Sequence, residues 1–261
     1  MRWCDRRVLL TGASGGIGRA LALSLARRGA QLLLVGRNAV ALQALADELP
    51  IPAEWRAVDL SDAAARQCLL KTAREQNIDM LINAAGINHF GLFAHQSPES
   101  VSELISLNVT ATLQLTQAML PLLQSADEAW IVNLGSTFGA IGYPGYASYC
   151  ASKAALRSFS QALRRELADT KIHVHYVAPR ATRTAMNDAT VEALNAELGN
   201  AMDSPEQVAE AIIRAVDQHA ADRHLGRPER FFVRLNAMLP GVVDRALRRQ
   251  LGTIQRFAGR S

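Results

Sequence analysis

Residues Tyr143–Leu156 read YPGYASYCASKAAL and hold three tyrosines, one cysteine and one lysine. On a helix, Tyr149 and Lys153 lie four positions apart and share a face, one turn from each other. At the same offset Tyr143 meets Ala147 and Tyr146 meets Cys150, so Tyr149 alone has a cationic neighbour. A free phenol, with a pKa near 10, transfers protons poorly at neutral pH. Bringing it to about 7 takes ~4 kcal/mol in favour of the phenolate, which a nearby ammonium can help to supply. Tyr149 and Lys153 are therefore candidates for proton transfer. Cys150 reads as a small packing residue, because no histidine stands beside it in the motif to activate a thiol.

A second constellation lies near the start. Thr11-Gly12-Ala13-Ser14-Gly15-Gly16-Ile17-Gly18 follows an apolar run and opens a helical pattern. Glycines there let the backbone turn sharply and approach a pyrophosphate, whose charge a helix N-terminus favours. The next apolar run ends in Leu34-Val35-Gly36-Arg37-Asn38. A carboxylate at that point would bind a ribose 2′-hydroxyl, whereas a guanidinium suits a 2′-phosphate. The pattern predicts NADP(H) rather than NAD(H), with Arg37 as the discriminating residue.

These groups need a scaffold. Val8–Thr11, Gln31–Val35, Glu54–Val58, Met80–Asn83, Trp130–Leu134 and His173–Val177 read as strands apolar on both faces. Helical patterns at Ile17–Arg28, Ala39–Glu48, Ala63–Gln76, Ser106–Leu123 and Ala147–Ala168 alternate with them. Such alternation predicts an α/β chain with a doubly wound parallel sheet, helices on both faces and right-handed crossovers. From about Arg183 to Asp203 the sequence turns irregular, then Ser204, Pro205 and Gln207 form a capping box for a late helix. The irregular stretch, about 183–203, sits where a substrate lid would.

The glycine turn has the form TGxxxGIG, and with it the chain resembles the short-chain dehydrogenases/reductases over roughly residues 5–222. The resemblance implies a single Rossmann-fold domain over 1–222, with Gly12, Ser14, Gly15, Gly16, Ile17 and Gly18 around the cofactor. Further motifs match in order. Val58-Asp59-Leu60 corresponds to the segment whose aspartate lies near the adenine ring, and Asn83-Ala84-Ala85-Gly86 to the segment that supports the sheet and borders the cofactor. Asn108 matches the family's helix asparagine. Ser136, 13 positions before Tyr149, matches the serine that hydrogen-bonds the substrate oxygen, with Thr137 as a neighbouring alternative. The resemblance adds contacts to the nicotinamide ribose from Tyr149 and Lys153, and places Pro179, Thr182 and Thr184 beside the nicotinamide. It implies an oxidoreductase that reduces a ketone or aldehyde of hydrophobic, lipid-like character to an alcohol, or the reverse, as a homodimer or homotetramer. One departure stands out: Pro179 is followed by Arg180 where glycine is usual, which predicts a strained or shifted loop, or a cation for an acidic substrate group. A noncatalytic cofactor-sensing or scaffold protein is the competing class; the intact set Asn108, Ser136, Tyr149 and Lys153 speaks against it.

The total charge of +4 conceals an uneven distribution. From Arg223 onward there are nine arginines and no lysine against two carboxylates, Glu229 and Asp244, so residues 1–222 carry an excess of acid. Arg223–Pro228 reads as an edge strand. In the C-terminal extension, 223–261, Leu235, Leu239, Val243, Leu247, Leu251 and Ile254 recur at helical spacing with Arg245, Arg248, Arg249 and Arg256 largely off that stripe, a basic amphipathic helix interrupted at Pro240-Gly241. Three roles fit: packing over the substrate pocket or a second subunit, peripheral contact with an anionic membrane through 235–257, or nucleic-acid binding. The acidic core and lack of a recognised motif set the last aside. Cys4, Cys68 and Cys150 share no metal-ligand spacing, and no apolar run reaches 18 residues. The expectation is a soluble, cytoplasmic protein without a metal.

Overall fold

The computed structural model describes residues 1–259, so the last two positions of the 223–261 extension lie outside the described residues. Parallel strands β1 (Arg7–Thr11), β2 (Gln31–Gly36), β3 (Glu54–Ala57), β4 (Met80–Asn83), β5 (Ala129–Leu134), β6 (Ile172–Ala178) and β7 (Asp222–His224) form one sheet in the order β3-β2-β1-β4-β5-β6-β7. Chain order reverses between β1 and β4. The turns leaving these two strands therefore diverge to opposite faces and open a crevice at the carboxyl edge, where open α/β sheets bind ligands.

Alternation along the strands explains the double winding. On β1, Val8 and Leu10 pack against α1 (Gly16–Ala26), α2 (Ala39–Glu48) and α8 (Pro205–Asp217), while Leu9 faces α3 (Ala63–Glu75), α5 (Thr112–Gln124) and α6 (Ala147–Glu166). The edge strand β3 differs from the expectation of two apolar faces, because its outer position leaves Glu54, Arg56 and Ala57 exposed. The predicted capping box is present, with Ser204 Oγ accepting from Gln207 N–H and Gln207 Oε1 from Ser204 N–H.

The helix expected over Ser106–Leu123 begins earlier and changes pitch. It runs as α4 (Pro98–Ile105), a π-helical stretch at Ser106–Ala111 and then α5. Residues 183–203 also contain a helix, α7 (Ala189–Glu197), capped by Asp188. At the C-terminus, the strand expected over Arg223–Pro228 stops at His224. Gly226 takes φ +85° and Arg227-Pro228 open α9 (Arg227–Met238), since proline in the first turn forfeits no helical hydrogen bond. Pro240 then starts α10 (Pro240–Ala258).

A buried polar chain ties the strands beneath the crevice. Asn83 Nδ2 donates to Asn133 Oδ1 at 2.8 Å and to Thr116 Oγ1 at 3.0 Å, and Asn133 Nδ2 donates to Ser160 Oγ at 2.8 Å. It joins β4, β5, α5 and α6 in one unit. Asn133→Leu keeps the branched outline but leaves the Asn83 amide short of an acceptor, and is expected to lower unfolding free energy by about 1–3 kcal/mol. Urea unfolding checks this; an unchanged midpoint contradicts it.

Candidate active site

Two cavities meet at the carboxyl edge of the sheet. One, lined by Gly12, Ser14, Gly15, Gly16, Gly18 and Arg37, continues past Ala84, Ala85 and Gly86 to Lys153. The other, of about 420 Å³, is largely apolar and holds Ser136, Phe138, Tyr146 and Thr182 in its wall. Tyr149, Ile17, Pro179 and Thr184 line both.

The first cavity suits a dinucleotide. Helix α1 starts at Gly16 without a side-chain cap, so its first-turn N–H groups have no helical acceptor and lie at the cavity wall. Gly12 takes φ +65°, and an added Cβ would lie 2.8 Å from the backbone of Ala84 and Ala85, so only glycine lets the two loops close together. Thr184 packs against Gly16 from the other side. Arg37 stands just beyond β2, exposed, with only a loose 3.9 Å approach to Glu103. Asp59 is not among the lining residues. It is exposed and its Oδ1 accepts from Ser61 N–H at 2.9 Å, while Val58 and Leu60 reach the cavity instead. Asn83 is likewise directed into the sheet, and Thr182 belongs to the apolar cavity rather than the glycine-lined one.

At the junction, the Tyr149 hydroxyl shares a hydrogen bond with the Ser136 side chain. Lys153 Nζ donates to the Leu134 carbonyl at 3.1 Å and lies 5.7 Å from the Tyr149 ring centroid. Burial governs both groups. It pushes Tyr149 up to about 12, with the Ser136 hydrogen bond acting in the opposite direction, and pulls Lys153 down to about 8. The expected lowering of Tyr149 by Lys153 is thus absent in the protein alone. The ammonium is itself desolvated, and it donates to a carbonyl rather than to the phenol.

Asn108 is 1% exposed and lies at the π-helical stretch. Its Oδ1 accepts from Ile87 N–H, and its Nδ2 donates to the Ile87 carbonyl and to Ser152 Oγ. A Cβ at Gly86 would come within 3.1 Å of Asn108 Oδ1 and 3.6 Å of Lys153 Nζ, so the loop after β4 passes directly over both.

The short chain dehydrogenase family model matches residues 6–195. The chain belongs to that family. It is 33% identical over 191 residues to the 3-oxoacyl-[acyl-carrier-protein] reductase FabG of Escherichia coli (strain K12), covering 72% of this chain and 78% of that protein. A short-chain dehydrogenase from Sphingobium yanoikuyae, solved in complex with NADPH, superposes with a TM-score of 0.77 at 32% identity, covering 92% of this chain and 95% of that one. A family member from Burkholderia phymatum, solved with NAD, reaches 0.84 at 21% identity over 93% and 96% of the two chains, a likeness of fold. As a short-chain dehydrogenase the protein is an oxidoreductase.

Arg180, the departure from the family pattern, is resolved by its partners. It does not occupy the left-handed region; among the described residues only Asn77 and His219 do so without being glycine. Its Nε and Nη2 donate to the Asp203 carboxylate at 2.9 and 2.6 Å, and its Nη1 lies 3.4 Å from Glu229 Oε1. Two carboxylates occupy the guanidinium, which corrects the expectation of a cation awaiting an acidic substrate group. Arg180 instead joins the segment before α8 to helix α9.

Tyr176 is a further residue at the site, and no sequence motif marks it. Its hydroxyl lies 3.4 Å from Ser136 N and 3.3 Å from Ser136 O, and its ring passes so close to Gly135 that a Cβ there would lie 2.1 Å away. A tyrosine in a strand carries no motif; only the glycine before Ser136 hinted at a close neighbour. Tyr176→Phe frees the Ser136 backbone and is expected to lower kcat about five-fold, the effect of one hydrogen bond near 1 kcal/mol, with little change in melting temperature. Unchanged kcat contradicts this positioning.

Proposed function

We propose that this short-chain dehydrogenase is an NADP(H)-dependent carbonyl reductase acting on hydrophobic, lipid-like ketones or aldehydes, or on the corresponding alcohols in reverse. The observation that carries the reading is the position of Tyr149 in the walls of both cavities, with Lys153 in the glycine-lined one and Ser136 in the apolar one.

The residues fit a nicotinamide dinucleotide. The uncapped start of α1 and the loop from Gly12 to Gly18 hold the pyrophosphate, Arg37 meets a 2′-phosphate, and Lys153 engages the nicotinamide ribose hydroxyls. Thr184, with Pro179, borders the nicotinamide. The bound cofactor supplies the hydride that the carbonyl carbon accepts. Ser136 Oγ donates to the carbonyl oxygen and polarises it, and Tyr149 gives its hydroxyl proton to that oxygen. Lys153, buried beside it and held next to Asn108, returns a proton to Tyr149. A phenol pushed up to about 12 is fully protonated at neutral pH, which suits the reductive direction. In that direction the proton leaves Tyr149 as the carbon–oxygen double bond becomes an alcohol.

Residues 1–222 carry the cofactor site and catalytic groups, and helices α9 and α10 of the C-terminal extension complete the substrate pocket. Phe232, Leu235, Val243 and Leu247 from α9 and α10 stand in its wall opposite Tyr143 and Leu194. Of the roles open to the apolar stripe of 235–257, packing over the pocket fits best, since the stripe is largely turned inward with Val243 and Ile254 buried. Assembly as a dimer or tetramer and a cytoplasmic location belong to the same reading and rest on the family alone.

The experiment is NADPH oxidation with ketones and aldehydes of rising chain length. kcat/KM is expected to rise roughly four-fold per methylene until the cavity is full, at about 0.8 kcal/mol per buried CH₂. Arg37→Asp is expected to move the preference toward NADH by about 100-fold, removing a bidentate phosphate contact and adding a repelling charge. No chain-length dependence, or an unchanged cofactor preference, contradicts the corresponding half of the proposal.

A further inference from the structure

Large apolar side chains left in solvent are concentrated at one corner. Phe231, Phe232, Met238, Leu239 and Val242 all fall where α9 gives way to α10; Met238 is 79% exposed and Phe231 62%. Elsewhere among the described residues such side chains occur singly, as at Val40 and Phe93. Scattered exposure of this kind is ordinary, whereas a contiguous apolar patch marks a contact surface.

The charge around this corner is predominantly positive. Arg227, Phe231, Arg234 and Met238 fall at i, i+4, i+7 and i+11 of α9 and are all exposed, so cations and apolar groups share one stripe. On α10 the inward positions hold Val243, Ile254 and Phe257, and the outward ones Arg245, Arg248 and Arg249. Two carboxylates lie nearby: Glu229 faces Arg180, leaving Asp244 as the exposed acid of the two helices. The corner is also the rim of the apolar cavity, because Phe232 and Val242 line that cavity while remaining half exposed. No helix among the described residues is long and apolar enough to cross a membrane.

We propose that the α9–α10 corner docks reversibly on an anionic phospholipid surface and sets the mouth of the apolar cavity against the lipid. Aromatic and methionine side chains enter the boundary between headgroups and acyl chains while the flanking arginines meet lipid phosphates and carboxylates. This surface shares only Leu239 with the apolar stripe of the tail, whose other members are buried or half-buried. Charge complementarity selects an anionic bilayer over a neutral one, and continuity with the cavity rim gives the contact a use. An apolar substrate dissolved in the bilayer reaches Tyr149 without crossing water. The docking itself is independent of the catalytic reading; its use for substrate entry rests on that reading.

The test is sedimentation of the full chain with vesicles of phosphatidylcholine, with and without phosphatidylserine. Wild type is expected to sediment with the anionic vesicles and not with the neutral ones. The triple variant Phe231→Ser, Met238→Ser, Leu239→Ser, and separately Arg227→Glu with Arg234→Glu, are each expected to weaken binding about ten-fold or more. None of these five residues lines either of the two cavities at the site, so turnover of a short, water-soluble ketone stays as in wild type. Equal partition to both vesicle types, or binding that survives both sets of substitutions, overturns the proposal. So does a wild-type dimer in sedimentation velocity that the triple variant dissociates, since the corner would then belong to a second copy. Vesicle binding that follows these expectations without NADPH-dependent turnover supports the docking and removes the reductase reading.

Discussion

A lysine ammonium held out of water governs the architecture around the junction. Lys153 is 6% exposed, no carboxylate pairs with it among the described residues, and its ammonium donates to the Leu134 carbonyl. Burying a cation without a counter-ion is unfavourable, and the protein absorbs the strain by pulling the lysine down to about 8. The neighbours follow from keeping that group in place. Helix α6 supplies Tyr149 one turn earlier, β5 supplies the carbonyl, and Gly86 lets the loop after β4 pass over Nζ. Asn108 is locked by three hydrogen bonds to the backbone of Ile87 and to Ser152. A bound ribose hydroxyl would give the ammonium an additional partner, so the cost of burial is relieved when a nucleotide arrives.

Much of this was legible because it depends on short-range pattern. The alternation of apolar runs located β1 through β6, and Ala39–Glu48 emerges as a helix with the predicted limits because Asn38 caps it. The spacing from Tyr149 to Lys153 is a property of one helix and survives in any context that keeps that helix. Positions judged by family likeness were less uniform. Asp59 caps a turn, and Thr182 faces the apolar cavity, because one residue's displacement along a loop redirects a side chain entirely.

What the sequence withheld depends on distance along the chain. Arg180 meets partners 23 and 49 residues away, so no local window contains the cluster. Tyr176 reaches Ser136 across two neighbouring strands. The π-helical stretch around Asn108 widens the helix by a change of hydrogen-bond register to which periodicity is blind. In the tail the amphipathic stripe is legible but leaves pocket packing and a membrane surface as alternatives, and only the tertiary fold turns Val243 and Ile254 inward. The turn at Leu239 folds α10 back, so α10 meets α7 through Leu194, Ile254 and Phe257 and covers the 183–203 stretch.

The role of Tyr149 is tested most directly by Tyr149→Phe, with NADPH binding and ketone reduction measured on the same preparation. Loss of a single hydroxyl leaves the glycine-lined cavity, Lys153 and Arg37 in place, so NADPH titration is expected to give a dissociation constant within about two-fold of wild type, while kcat falls by at least about 100-fold, as for removal of a general acid. Turnover that persists near the wild-type rate would show that another group protonates the carbonyl oxygen, and would contradict the assignment of Tyr149.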